Sequence, residues 1–401
     1  MTRVGVTGCA LIDYLYSGAD FSSASFQSYQ TRHPGDGGLR PGALVFASDL
    51  VVFAGAPLSE ILRRVVGDRA ADAANVGGPG IVAAIHAAQL GASHEIEVSF
   101  YGARGNDRDG SLPLERLAGV PLSLDSYHEF PGPTPSTIVL SDPTFANGAG
   151  ERCFVNTIGA AAEYSPDEIV PDFYENDVVL FGGTALVPAL HDRLDECVLQ
   201  AREADAVTVV GTVYDFRNEQ RAPDRQWPLL QRQDSYEALD LLVTDHEEAL
   251  RISGENSAHA AVDRFLAWGV GAAVVTCGTD PIVAESSGRR FAKSDRFELP
   301  ISERIRNEHE SGLNPTNSAG RDTTGCGDNF VGGVLYAIAR ALSDEGLSRA
   351  DFRTLLSHGV IAGGIASFHL GGTFMERAPG EKAALVHEYL ADYLSQIQAN
   401  E

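Results

Sequence analysis

Residues Asp322, Thr323, Thr324, Gly325, Cys326, Gly327, Asp328 and Asn329 set a carboxylate directly behind a bend flanked by two glycines. Gly325 and Gly327 let the backbone turn sharply there and expose its N–H groups. The apolar, small-residue run from Phe330 to Leu342 reads as a helix, which puts those N–H groups at a helix N-terminus. Such an end carries partial positive charge and unpaired donors, and it suits an anion. Asp328 stands at the same turn, where a carboxylate can take a proton from a hydroxyl. An anion cradle beside a base is what moving a phosphoryl group onto an alcohol requires. A plainer reading is also open, with Asp328 as the N-cap of an ordinary helix after a Gly-rich turn.

A second segment, Gly77-Gly78-Pro79-Gly80-Ile81-Val82, opens a run of small residues that continues to Gly91-Ala92. It reads as a tight turn feeding a helix that can pack closely beneath a pocket. A strand from Ile96 to Tyr101 and the turn Gly105-Asn106-Asp107-Arg108-Asp109-Gly110 follow. Together the two segments resemble the paired signatures of the ribokinase-like (PfkB) family of sugar and nucleoside kinases, D-T-x-G-A-G-D and G-G-x-x-x-N-x-A-x-x-x-A-x-L-G-A. The resemblance implies that Asp328 is the general base and that the amides of Gly325, Cys326 and Gly327 stabilise the transferred phosphoryl group. Gly77 and Gly78 would border the acceptor. Two exchanges depart from the pattern: Cys326 replaces Ala, small for small, and Val82 replaces an Asn that commonly contacts acceptor hydroxyls.

Further positions take their roles from the same resemblance. Asp13 ends the apolar stretch from Val4 to Leu11, expected to be one buried strand, and would hold acceptor hydroxyls; a carboxylate can accept from both members of a diol. Asp245 and Glu248 correspond to the family's N-x-x-E, which organises Mg²⁺ and the donor phosphates, with Glu248 acting on the metal indirectly. Thr276 and Gly278 match the V-T-x-G strand end beside ATP, a site that Asp245, Gly325 and Gly327 would share. As residues alone, Asp13 also reads as a turn former, the 245–248 run as an acidic helix start, and Thr276-Cys277-Gly278 as a plain strand-to-turn junction. His86 and His358 read as packing histidines.

The elements that must position these groups alternate. Strand-like runs at Asp177–Gly182, Ala206–Val210, Leu241–Thr244 and Ala272–Thr276 are separated by helical patterns at Pro188–Arg202, Glu247–Ile252 and Ala258–Trp268. Alternation of that kind argues for an α/β fold with a mostly parallel sheet covered on both faces. Val386, Tyr389, Leu390, Tyr393 and Ile397 recur at helical spacing near the end, giving a surface helix with one apolar face. The irregular stretch from Tyr14 to Ala56, with Ser136–Asp142 and Glu151–Thr157, interrupts the pattern. In the resemblance these parts, about 14–56 and 128–160, form a small β lid on a single doubly wound ribokinase-like domain spanning 1–401. The motifs at 39–45 and 151–160 look closer to adenosine-kinase-like members.

Composition sets the limits. The 401 residues are 44% hydrophobic, enough for a large core, and carry a formal charge of −25. That acidity argues against nucleic acid and anionic membranes as partners, since both need basic patches. Five scattered cysteines, with no C-x-x-C pair, fit reduced thiols rather than a disulfide framework or zinc site. No apolar run approaches the ~20 residues of a membrane span, and a cytoplasmic location is expected. The chain lacks G-x-x-x-x-G-K-[ST], H-E-x-x-H and G-x-S-x-G, and its first strand lacks the dinucleotide fingerprint. The expectation is a kinase that moves the ATP γ-phosphoryl group to a hydroxyl, a CH₂OH, of a sugar or nucleoside, with Mg²⁺. Some relatives add a monovalent cation, and a homodimer is compatible with the resemblance. A catalytically idle sugar or nucleoside sensor of the same fold is the alternative.

Overall fold

Gly8 ends the first strand with φ +129°, and a Cβ there would fall 1.9 Å from the carbonyl oxygen of Gly182. This break decides the architecture. The stretch expected to be one strand is two: β1 (Thr2–Gly8) belongs to a large sheet, and β2 (Leu11–Ser17) to a small one. The computed structural model describes residues 1–33, 35–148, 150–313, 323–344, 346–369 and 371–399. Asp322 of the first motif lies outside them.

Among the described residues the small sheet is completed by β3 (Leu44–Phe46), β4 (Ala73–Gly77), β7 (Ser136–Asp142) and β8 (Glu151–Thr157). The large sheet contains β5 (Ile96–Gly105), β6 (Leu122–Phe130), β9 (Val178–Gly182), β10 (Val207–Gly211), β11 (Leu241–Asp245), β12 (Ala272–Cys277), β13 (Asp280–Ser286) and β14 (Ser294–Leu299). Its order is β14-β13-β12-β11-β10-β9-β1-β5-β6. Every pair from β6 to β12 is parallel, while β13 and β14 run antiparallel at one edge.

The large sheet is apolar on both faces because helices cover both. Successive residues alternate between two cores, as period 2 dictates. Val178 and Leu180 join the core under the helices Pro79–Gly91, Cys326–Asp344 and Phe352–Ala366. Val179 and Phe181 join the opposite core, under Leu194–Glu203, His246–Ser253 and Ala258–Ala267. The expected helix at 188–202 is broken at Asp192 and Arg193, between Pro188–His191 and Leu194–Glu203. The last helix, Glu381–Ala399, is amphipathic as its spacing suggests: Val386, Tyr389 and Tyr393 are buried while His387, Glu388, Ala391 and Asp392 are exposed.

The small sheet has order β3-β8-β7-β2-β4. One of its faces is closed by helical segments Ala24–Ser28, Ala47–Ala54 and Leu58–Val66, with Phe26, Leu50 and Ile61 meeting Ile138, Leu140 and Val155. Between Tyr14 and Ala56 the described residues are mostly turns and loops, as the irregular sequence suggests, with the end of β2, the helices Ala24–Ser28 and Ala47–Ala54, and β3 among them.

Candidate active site

The C-terminal ends of the parallel strands converge on a cavity of about 140 Å³, lined by Thr212, Asp245, Glu248, Thr276, Gly327 and Asp328 among others. Crevices at strand ends are where open α/β sheets bind ligands. Asp328 lies in the first turn of the Cys326–Asp344 helix. Burial pushes its carboxyl up to about 7, because an ion loses water's stabilisation there.

The turn ahead of it is built by Gly325, with φ +72°, a conformation that favours glycine. A Cβ on Gly325 would meet Gly372 Cα and O at 2.4 Å. Gly327 differs from expectation: its φ is not positive and a Cβ there would meet nothing within 4 Å. It needs no glycine conformation; it leaves room in the cavity. The Cys326 amide is also not spare, since it donates to Thr323 O at 3.2 Å. The amides of Gly327 and Asp328, in the first helical turn, are the ones whose positions suit an anion.

Asp245 and Glu248 form a reciprocal cap on the His246–Ser253 helix: Glu248 N–H donates to Asp245 Oδ1 at 2.8 Å, and Asp245 N–H to Glu248 Oε2 at 3.4 Å. The Thr212 hydroxyl donates to Glu248 as well. Burial first, then the Asp245 and Asp328 charges, push the Glu248 carboxyl up to about 8; burial raises Asp245 too. Two carboxyls held this close favour either a proton or a hard cation. They fit Mg²⁺, which takes oxygen ligands and keeps waters and phosphates for the rest. Among the described residues no group of three or more His, Cys, Asp or Glu is set to hold a metal alone. Thr276 lines the same cavity and its hydroxyl donates to Thr244 O at 3.3 Å. Gly278, φ +64°, makes the tight turn between β12 and β13.

Asp13 is not at the end of the first strand but inside β2, paired with Asn75 on β4 and Thr137 on β7. Its carboxylate lies against Gly77, where a Cβ would fall 1.9 Å from Oδ2. Gly78, φ +103°, starts the Pro79–Gly91 helix. The buried Cys9 thiol is pushed well above its usual range by burial and then by the charges of Asp328 and Asp13. Val82 does not reach that region: it is 1% exposed and packs in the main core.

Three features were not read from the sequence. In-register pairing extends a row from Asn75 and Asp13 through Thr137 and Asn156 to Phe46. Residues opposite one another share a face, and this face is turned away from the Ile138–Leu140 core, with Asn75 beside Gly371. On β8, Arg152 donates to the Thr324 hydroxyl, so the small sheet touches the motif. Asn329, behind the turn, bonds to His86. Arg152 and Asn156 lie in the 151–160 stretch and Asn329 closes the first motif, but only strand register and tertiary contact show what each of them meets.

An α/β domain with its catalytic turn at a helix start, crossed by a small sheet, is the architecture of ribokinase-like kinases. The chain belongs to that family: the sequence model described as pfkB family carbohydrate kinase matches residues 65–375. No curated protein sequence matches the chain. Among solved structures, adenosine kinase from Schistosoma mansoni in complex with 2-fluoroadenosine is similar, at 15% identity and TM-score 0.65 over 94% of this chain and 97% of that one. Arabidopsis thaliana ribokinase with ribose and ATP aligns at 16% identity and TM-score 0.59, covering 97% and 98%. A putative ribokinase II from E. coli with ATP and Mg²⁺ aligns at 16% and 0.62, covering 97% and 100%. At these identities the likeness shows the fold. Among the described residues no helix is long and apolar enough to cross a membrane.

Proposed function

We propose that the chain is an ATP-dependent kinase that phosphorylates a hydroxyl, a CH₂OH, of a sugar or nucleoside. The observation that carries this reading is Asp328: a carboxyl lifted to about 7, in the first turn of a helix, facing the cavity at the strand ends. A base whose pKa lies near neutrality is matched to taking a hydroxyl proton. In the step, the acceptor oxygen bonds to the γ-phosphorus while its proton passes to Asp328. The bond from phosphorus to the ADP oxygen breaks, and the pair stays on ADP.

The amides of Gly327 and Asp328 would face the transferring group and stabilise its charge. Mg²⁺, when bound, neutralises charge between the donor phosphates; Asp245 and Glu248 would hold it, directly or through its waters. Arg152 reaches the motif from the small sheet, and it would bring a fixed positive charge to the phosphoryl group. Asp13 would accept hydrogen bonds from acceptor hydroxyls. Neighbours of this fold in complex with ribose and ATP, 2-fluoroadenosine, and ATP with Mg²⁺ support the choice of ligand classes.

The test is ADP release with ATP, Mg²⁺ and a mixed panel of sugars and nucleosides. Acceptor-dependent turnover that Asp328→Asn removes is expected. Binding of a panel member without turnover would favour the idle sensor instead.

A further inference from the structure

Asn329 follows Asp328 in the chain and is 1% exposed. Its amide nitrogen donates to Gly325 O at 2.8 Å and to Gly372 O at 2.7 Å. It therefore ties together the two glycines whose backbones meet at the turn. Carbonyl oxygens only accept, so the two contacts fix which end of the amide is nitrogen. The other end, Oδ1, must be an acceptor, and it lies 3.0 Å from His86 Nδ1. His86 can satisfy it only with a proton on Nδ1.

The other ring nitrogen agrees with that assignment. His86 is 1% exposed, and its Nε2 is buried without a hydrogen-bond partner among the described residues. An unpaired N–H buried there would be costlier than a bare lone pair in a ring already committed through Nδ1. Burial, and then the Lys382 charge, hold the imidazole pKa well below its usual value, so the ring is neutral. Lys382 itself is fully buried, over the Phe374 ring. Neither His86 nor Asn329 belongs to the glycine and aspartate positions that mark the two motifs.

We infer that His86 and Asn329 are positioning residues for phosphoryl transfer. His86, as its Nδ1–H tautomer, orients the Asn329 amide, which clamps Gly325 to Gly372 and so aims the first-turn amides and Asp328. The inference rests on the kinase reading for its kinetic consequence but not for the tautomer. A clamp on the turn acts on the group in flight, so its loss lowers kcat and leaves substrate affinity in place.

The test uses the full chain with ¹⁵N-labelled histidine, observing ring nitrogens by long-range ¹H–¹⁵N correlation, with His86 assigned from the signal missing in His86→Asn. The expected result is an Nδ1–H ring that shows no titration at the pH where a free imidazole titrates. An Nε2–H tautomer or a charged ring overturns the inference whether or not the chain turns over ATP. In parallel, His86→Leu, which cannot donate, is expected to lower kcat at least about tenfold with both KM values within about twofold. His86→Asn, which returns an N–H near the Nδ1 position, restores most of it. If His86→Leu folds and keeps wild-type kcat, or if His86→Asn restores nothing, the positioning role is wrong. Should His86→Leu not fold, the tautomer and the kcat of His86→Asn decide. Absence of wild-type turnover on every acceptor would count against the kinase reading alone, since the tautomer is read separately.

Discussion

Gly325 and Gly372 meet backbone to backbone: a methyl on Gly325 would fall 2.4 Å from both the Cα and the oxygen of Gly372. With φ +72° as well, Gly325 has no room for a side chain on either count. Gly325→Ala is expected to lose roughly 1–2 kcal/mol for the left-handed backbone alone, and more for the contact. Its kcat should fall over tenfold, because the turn must open. Gly327→Ala should fold like wild type, whereas Gly327→Val should fold but bind ATP less well by crowding the cavity. Melting temperature and ATP KM measured on the three variants check this. A Gly325→Ala enzyme with normal kcat would refute it.

Asp328 gives a pH dependence whose sign can be worked out. A base must be deprotonated to act, so kcat/KM should rise with pH and level off above about 7, the value to which burial lifts this carboxyl. Stability moves the other way. The folded form binds this proton more tightly than the unfolded chain, so the contribution is full below the unfolded value near 3.8 and is lost as pH rises to about 7. Asp328→Asn should therefore lower kcat by roughly 10²–10⁴-fold yet melt about 2–4 °C higher at pH 8. A variant less stable than wild type at pH 8 would contradict the buried-charge account.

How far the sequence carried differs by element. The buried strands at 178–182, 207–211, 241–245 and 272–277 were readable because each is a continuous apolar run between helical patterns. Strands Asp280–Ser286 and Ser294–Leu299 were not, since an antiparallel edge has a mixed pattern close to that of a loop. The break at Gly8 escaped notice because Cys9, Ala10 and Leu11 prolong the apolar run, and only the carbonyl of Gly182 forbids a side chain there. Asp328 and Gly325 were legible as motif residues. Phe46, Asn75, Thr137 and Asn156 were not, because three strand registers bring them into one row and nothing local marks them.

Glu248 should matter through the metal. Burial, then the Asp245 and Asp328 charges, raise its carboxyl above the usual range, which favours the protonated form, and a divalent cation would compete with that proton. Glu248→Gln keeps an acceptor for the Asp245 N–H, so the helix cap and the melting temperature at pH 7 should hold. The Mg²⁺ concentration for half-maximal activity should rise roughly 10–100-fold, the usual effect of losing a supporting group. An unchanged Mg²⁺ titration would remove Glu248 from the metal site.

Arg152 joins the small sheet to the turn before Asp328 through the Thr324 hydroxyl. If that contact brings the guanidinium to the phosphoryl group, Arg152→Ala should cut kcat by roughly 10²–10³-fold, comparable to losing a transition-state donor. Arg152→Lys should recover only part, because an ammonium cannot bond bidentately. Single-turnover rates with saturating ATP separate this from weaker binding. A loss confined to KM would make Arg152 a closure contact instead.

If the row Asn75–Asp13–Thr137–Asn156–Phe46 lines the acceptor site, it sets which acceptor fits. Val82, in the core at 1% exposure, offers no basis for choosing between a nucleoside and a free sugar. The row offers a different basis. Neighbouring strands stand about 4.8 Å apart, so a pentose held by Asp13 would span only the first few positions. Thr137 and Asn156 are joined at 2.9 Å, Asn156 Oδ1 is buried without a hydrogen-bond partner among the described residues, and Phe46 lies beyond with Phe216 edge-on at 6.4 Å. An amide edge followed by an aromatic ring suits a flat, polar-edged group attached to the sugar. Adenosine or inosine should therefore exceed ribose, fructose and myo-inositol in kcat/KM. Phe46→Ala should raise the nucleoside KM about tenfold, within the ~1–3 kcal/mol typical of base–aromatic stacking, and leave ribose unchanged. Asp13→Asn should weaken both classes, since both carry vicinal hydroxyls. If Phe46→Ala weakens ribose as much as adenosine, the outer part of the row does not read a base, and a free sugar becomes the better acceptor.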